Sequence, residues 1–201
     1  LVDGCVIEDN VGERGGGVAD SGGSGTDRSS GVRVSGCVIR RNVASVDGGG
    51  VYFALNRDPV VEASFLEDNV AARYGGGFFA GSRGSGAMRN CLVRGNVADN
   101  GGGALYGTLH NDTVVGNVAR VRGGGTGGVA ARNCIVYGNE APLSSNDYNS
   151  SFAYSCVAPL ATGPGNHAGP PGFAGFRNWR LVAGSPCVDT ASPFFPEGDY
   201  D

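Results

Sequence analysis

A short phrase closing on asparagine recurs six times along this chain: Cys5-Val-Ile-Glu-Asp-Asn10, Cys37-Val-Ile-Arg-Arg-Asn42, Ser64-Phe-Leu-Glu-Asp-Asn69, Cys91-Leu-Val-Arg-Gly-Asn96, Asp112-Thr-Val-Val-Gly-Asn117 and Cys134-Ile-Val-Tyr-Gly-Asn139. Five copies are followed by three glycines, at Gly15 to Gly17, Gly48 to Gly50, Gly75 to Gly77, Gly101 to Gly103 and Gly123 to Gly125. Successive phrase asparagines are 32, 27, 27, 21 and 22 residues apart. A period of this length, made of short apolar alternations broken by glycine, is the signature of a solenoid. Each repeat forms one coil and buries its apolar face only by stacking on its neighbours.

Aligning the copies on their asparagines makes the columns readable. Cys5, Cys37, Ser64, Cys91, Asp112 and Cys134 fill one column, and Ile7, Ile39, Leu66, Val93, Val114 and Val136 another, two residues on. Side chains alternate faces along a strand, so these columns share a face, and their small and aliphatic character makes it the inner one. Asn10, Asn42, Asn69, Asn96, Asn117 and Asn139 end the strand as a structural ladder, each side chain bonding to the next coil and the turn backbone. Asn90, Asn111 and Asn133 form a shorter file, and Ala44, Ala71, Ala98 and Ala119 are placed at a tight corner after the ladder. The glycine triplets mark a bend where a Cβ is excluded. A second strand starts at Val18, Val51, Phe78 and Ala104, and a third carries Val34, Val61, Met88 and Leu109. The pattern predicts an all-β chain: a right-handed parallel β-helix of about seven to eight coils.

The repeat fades after Asn139, which has no glycine triplet behind it. Tyr154-Ser-Cys156-Val reads as one more coil strand, with Cys156 placed in the column of Cys134. Residues 1–158 are therefore assigned to the coils, and the Pro- and Gly-rich residues 159–201 to a final coil and an irregular C-terminal cap. The chain opens on Leu1 and carries no signal-peptide pattern, which reads as a piece of a longer protein. Its formal net charge of −4 offers nothing to a nucleic-acid polyanion. No apolar run approaches the length of a membrane span.

The phrase followed by Gly-Gly-Gly resembles the pectin-lyase-like right-handed parallel β-helix superfamily, and more narrowly the surface repeats of polymorphic outer-membrane proteins. Gly184-Ser-Pro-Cys-Val-Asp189 is similar to the Gly-Ser-Pro-Cys-Ile-Asp ending of choice-of-anchor β-helix proteins, although Thr190-Ala191 departs from the usual continuation. The resemblance implies a secreted or cell-surface bacterial protein with no settled activity.

Candidate sites are few. Asp9 and Asp68, about 9–10 Å apart across two coils, have the spacing of an inverting acid–base pair. Arg41 between them favours two ionised carboxylates, the wrong state for a general acid. The charges Glu8, Arg40, Glu67 and Arg94 read as ion-pair ladders. Asp20 and Asp27 flank a Gly/Ser insertion that is better read as a solvated loop than a cation site. His110 and His167 lack metal-ligand spacing, so the sequence assigns no catalytic residue, cofactor or metal. Stacked cysteines about 4.8 Å apart are too widely spaced for disulfides, leaving Cys5, Cys37, Cys91 and Cys134 as buried thiols. Cys156 and Cys187 are free to pair. Outward apolar residues offer a partner or glycan surface: Phe65 and Leu92, in a file with Val6, Val38 and Ile135, and Tyr52, Phe79 and Leu105 in the second strand. The sequence thus favours a surface scaffold, associating with copies of itself or another surface protein. A carbohydrate-binding module and a polysaccharide lyase or hydrolase are the alternatives.

Overall fold

A computed structural model describes residues 1–20, 31–54, 58–81, 86–175, 178–188 and 190. Within them the regular structure is all β: four parallel sheets that the chain visits in turn on each coil, and one two-stranded antiparallel hairpin. Sheet I has seven strands: Val2–Asp3, Arg33–Ser35, Val60–Glu62, Ala87–Arg89, Thr108–His110, Ala130–Arg132 and Ser151–Ala153. Sheet II, also seven-stranded, carries the phrase: Val6–Glu8, Val38–Arg40, Phe65–Glu67, Leu92–Arg94, Thr113–Val115, Ile135–Tyr137 and Cys156–Val157. Sheet III has five strands, Val11–Arg14, Val43–Asp47, Val70–Ala71, Val97–Asn100 and Val118–Arg122. Sheet IV has six, from Val18–Asp20 through Val51–Phe53, Phe78–Ala80, Ala104–Leu105 and Thr126–Gly127 to Asp147–Tyr148. The chain is a parallel β-solenoid.

Sheet III corrects the three-strand expectation. Ala44, Ala71, Ala98 and Ala119 are not corner residues but the buried, inward side chains of its strands. In these four strands the alanine is the lone buried apolar side chain, which hides the alternation from a periodicity reading. The aliphatic column is as expected: Ile39, Leu66, Val93, Val114 and Val136 are fully buried and stack in register, with Ile7 half-buried on the first coil. Phe53 and Phe78 meet edge to face, 5.7 Å between centroids, and fill the wider coils.

The asparagine ladder sits at the corner between sheets II and III. Asn96 is representative: its Oδ1 accepts from the backbone N–H and Nδ2 of Asn69 at 2.9 Å each, while its own Nδ2 donates to Asn117 Oδ1 and Leu66 O at 2.9 and 2.8 Å. The third glycine of each triplet packs on that amide. A Cβ on Gly77 would stand 3.0 Å from Asn96 Nδ2 and 2.8 Å from Gly103 O, which is why the phrase and the triplet occur together. One ladder member escaped the repeat: Asn146 receives the N–H and Nδ2 of Asn139 at 3.0 and 2.9 Å and ends the stack.

The corners also need left-handed backbone. The residue before each phrase asparagine has positive φ, whether Asp9, Arg41, Asp68, Gly95, Gly116 or Gly138. Asn90, Asn111 and Asn133 also have positive φ, so that file marks the turn between sheets I and II. The middle glycine of a triplet is a matter of close approach instead, since a Cβ on Gly76 would meet Gly102 O at 2.4 Å and Val97 N at 2.6 Å. Gly76→Ala is expected to cost about 2–4 kcal/mol in denaturant unfolding, while Gly116→Ala, strained only in φ, costs about 1–2 kcal/mol. Equal losses would show that stacking distance does not set the glycine requirement.

Nearly all variation in coil length falls at the corner between sheets IV and I. Twelve residues separate Asp20 from Arg33, six separate Phe53 from Val60 and Ala80 from Ala87, and two separate Leu105 from Thr108 and Gly127 from Ala130.

The C-terminal stretch divides in two. Residues up to His167 close the last coil: Ser155 N–H donates to Asn166 Oδ1, His167 N–H to Ser155 O, and Val157 N–H to His167 O, at 2.9–3.0 Å. The following hairpin, Phe173–Gly175 with Asn178–Leu181, runs back along the outside of sheet II rather than across the open end.

Candidate ligand-binding face

Tyr52, Phe79 and Leu105 are in register on adjacent coils of sheet IV, facing out as parity requires. Phe79 and Leu105 are nevertheless only 7% exposed. Phe79 is covered by a strand neighbour and by two corner residues outside the strand pattern. Tyr74, just ahead of a glycine triplet, stacks on Phe79 at 6.0 Å and 16°, Tyr52 does so at 5.5 Å from the next coil, and Tyr106 lies over it at 6.0 Å. What solvent meets is a tyrosine rim, with Tyr106 the most open.

Arginines border this rim. The guanidinium carbons of Arg14, Arg73 and Arg122 lie 5.8, 5.3 and 4.3 Å from the ring centroids of Tyr52, Tyr74 and Tyr148, close enough for cation–π attraction. Asp47 is buried beneath, its Oδ2 3.2 Å from Arg73 and 3.6 Å from Arg14, and its Oδ1 has no partner among the described residues. A 160 Å³ cleft opens among Tyr74, Asn100, Leu105, Tyr106, Arg122 and Tyr148. On its wall Arg122 donates to Asn100 Oδ1 and the Tyr148 hydroxyl, at 2.9 Å each. Flat apolar rings ringed by planar hydrogen-bonding groups suit a small ring that is apolar on one face and hydroxylated at its edge.

Phe65 and Leu92 line a second concavity. Val6, Val38, Phe65, Leu92, Thr113 and Ile135 form the outward file of sheet II in perfect register. Val6 and Phe65 are 60% and 46% exposed, but at Leu92 and Thr113 the chain's own hairpin, through Trp179, forms the far wall of a 510 Å³ groove. Phe173 packs edge-on against Trp179 at 5.2 Å, and the indole Nε1 is buried without a partner among the described residues.

The acidic candidates separate. Arg41 binds Asp9 and Glu8, at 2.7 and 2.8 Å, rather than bridging Asp9 to Asp68. Hydrogen bonds from Arg40 and Arg41 hold the Glu8 carboxyl below its ordinary range, and Arg41 does the same for Asp9. Neither is suited to donating a proton. Arg40–Glu8 and Arg94–Glu67 pair between coils at 2.6 and 2.9 Å, whereas Asp27 lies outside the described residues.

Asp112 is the unexpected acid. It occupies the cysteine column, fully buried between Cys91 and Cys134, with Oδ1 accepting from Cys91 N–H at 2.7 Å and Oδ2 from His110 N–H at 3.0 Å. Burial pushes its carboxyl up to about 8 and, with the Asp112 charge, raises both neighbouring thiols. All six cysteines are free thiols. Cys156, however, is not in the cysteine column. Its strand partner is Ile135, and Ser155 takes the inner place, its hydroxyl accepting from Cys134 N–H at 3.1 Å. A one-residue slip changes the face, so Cys156 points outward, where Cys187 and His167 converge on it. Sequence reading missed this meeting because nothing in the spacing of 156, 167 and 187 marks it.

No family model matches the chain, and no solved structure matches it. It is 30% identical over 121 residues to metabotropic glutamate receptor-like protein R of Dictyostelium discoideum, an alignment covering 58% of this chain and 7% of that protein. The chain thus corresponds to a small fraction of that relative's length.

Proposed function

We propose that this chain is a segment of an extracellular, cell-surface structural scaffold, adhesin-like or self-associating, with no turnover of its own. The observation that carries this is the use made of the repeated polar side chains. From Asn42 to Asn139 the ladder amides are buried and bonded coil to coil, and the charges of Glu8, Arg40, Glu67 and Arg94 pair between coils. The repeat is spent on stacking, which makes a stiff rod with laterally displayed faces. Val43 and Phe65, 40% and 46% exposed on interior coils, offer apolar surface to a neighbouring copy. The receptor-like name of the partly aligned protein supports a surface setting.

A second reading, carbohydrate recognition, rests on the tyrosine–arginine cleft. Polysaccharide panels incubated with the chain are expected to show no gain in reducing ends, and antibody to this segment is expected to label intact cells making the whole protein. Cleavage that disappears in Asp68→Asn, or labelling only after permeabilisation, would overturn the scaffold. Glycan-array binding lost in Tyr106→Ala would favour the second reading.

A further inference from the structure

We propose that Cys156, His167 and Cys187 form a zinc(II) site that fastens the C-terminal segment to the last coil. One donor atom from each lies within 4.8 Å of the other two, a spread that tetrahedral ligands around one ion can adopt with small side-chain movements. The three come from separately fixed pieces of chain. Cys156 is held in sheet II by its pairing with Ile135. His167 is clamped beside it by a parallel bridge, its N–H on Ser155 O at 3.0 Å and its carbonyl accepting from Val157 N–H at 2.9 Å. Cys187 is held by a turn in which its N–H meets Ser185 Oγ at 3.0 Å, while that hydroxyl donates to Pro171 O.

Two observations favour a metal over a disulfide. His167 Nδ1 is buried with no hydrogen-bond partner among the described residues; a Cys156–Cys187 disulfide would leave the imidazole with nothing to do, whereas a metal engages all three side chains. A 200 Å³ cleft lined by these residues with Asn133, Tyr154 and Thr190 adjoins the cluster, room for a water as fourth donor. Two thiolates and an imidazole are a borderline-soft set that suits zinc. On binding, each thiol gives its proton to solvent and its sulfur lone pair to the ion, and His167 enters as neutral imidazole. No oxidant is consumed. Burial raises both thiols, so the ion must compete with protons for the two sulfurs.

The test uses the full chain, reduced and desalted, titrated with zinc chloride against a chromogenic chelator. One equivalent is expected to bind, and cobalt(II) in its place should give tetrahedral d–d bands with thiolate charge transfer. His167→Gln and Cys187→Ser should each weaken zinc binding by at least about tenfold, while Cys91→Ser leaves it unchanged. Failure of the reduced wild-type chain to take up zinc or give the cobalt spectrum overturns the site, even if a variant misfolds. So does unchanged uptake in His167→Gln, or a Cys156–Cys187 disulfide in the isolated chain that yields no zinc binding after reduction.

Discussion

Asn96→Ala is expected to destabilise the solenoid by about 3–6 kcal/mol, the largest loss from any single side chain outside the apolar core. The substitution removes two donors and a doubly used acceptor at once. Asn69 N–H and one hydrogen of its Nδ2, both bonded to Asn96 Oδ1, are left without that acceptor in the interior. Each stranded group carries a desolvation cost of about 1–3 kcal/mol, and no water can reach them through a stack of glycines. Asn10 provides the contrast. It donates to Asn42 Oδ1 at 3.0 Å but is exposed on the first coil, so Asn10→Ala should cost under about 1 kcal/mol. Denaturant unfolding of the two variants is the check. Losses within about 1 kcal/mol of each other would mean that the ladder is decoration on a fold held by its aliphatic column.

Asp112→Ser is expected to act in the opposite direction, raising stability at pH 8 by about 2–4 kcal/mol and flattening its pH dependence. In the folded chain the carboxyl keeps its proton up to about pH 8, against an ordinary value of 3.8. Between these values the folded state holds a proton that the unfolded state has released. Stability is therefore full below the lower value, falls as pH rises through the window, and levels off above it. Serine already serves this column at positions 64 and 155, where the hydroxyl donates to the carbonyl two residues back, Glu62 O at 2.7 Å and Ala153 O at 2.9 Å. It accepts from the preceding coil as well, without bringing a charge. Glu8 and Asp9 act with the other sign: their Arg40 and Arg41 partners stabilise the ionised forms, a contribution lost as pH falls below the ordinary carboxylate range. Unfolding midpoints measured from pH 4 to 9 decide the matter. Matching slopes in wild type and Asp112→Ser would sink the assignment.

Sheet II could be read residue by residue because it combines strict alternation with an asparagine that fixes its register; Ile39 and Leu66 are where the pattern puts them. Sheet III was invisible for the converse reason, since Val70–Ala71 turns a lone alanine inward and offers nothing to alternate with. Asn146 was missed because it follows Asn139 by seven residues, in the place that the third triplet glycine takes on earlier coils. Cys156 was misassigned by one position because its strand lacks the asparagine that anchors the other copies. The burial of Phe79 depends on Tyr74 and Tyr106, which sit at corners, and corner side chains follow no period. The meeting of Cys156, His167 and Cys187 depends on a segment that turns back along the rod, a path that no local pattern encodes.

The uneven corner between sheets IV and I divides the rod into a conservative side and a permissive one. Three corners are locked by αL residues, the amide ladder or triple glycine, and an added residue there would throw every neighbouring coil out of step. The fourth varies from two to twelve residues while the strands on either side stay paired in register. Lengthening that connection costs only loop closure, about 0.6 kcal/mol per doubling. New sequence can therefore accumulate along one edge of the molecule without renegotiating the stack, and the first three coils, where this connection is longest, already carry such additions. Lateral novelty and axial stiffness are thereby inherited separately.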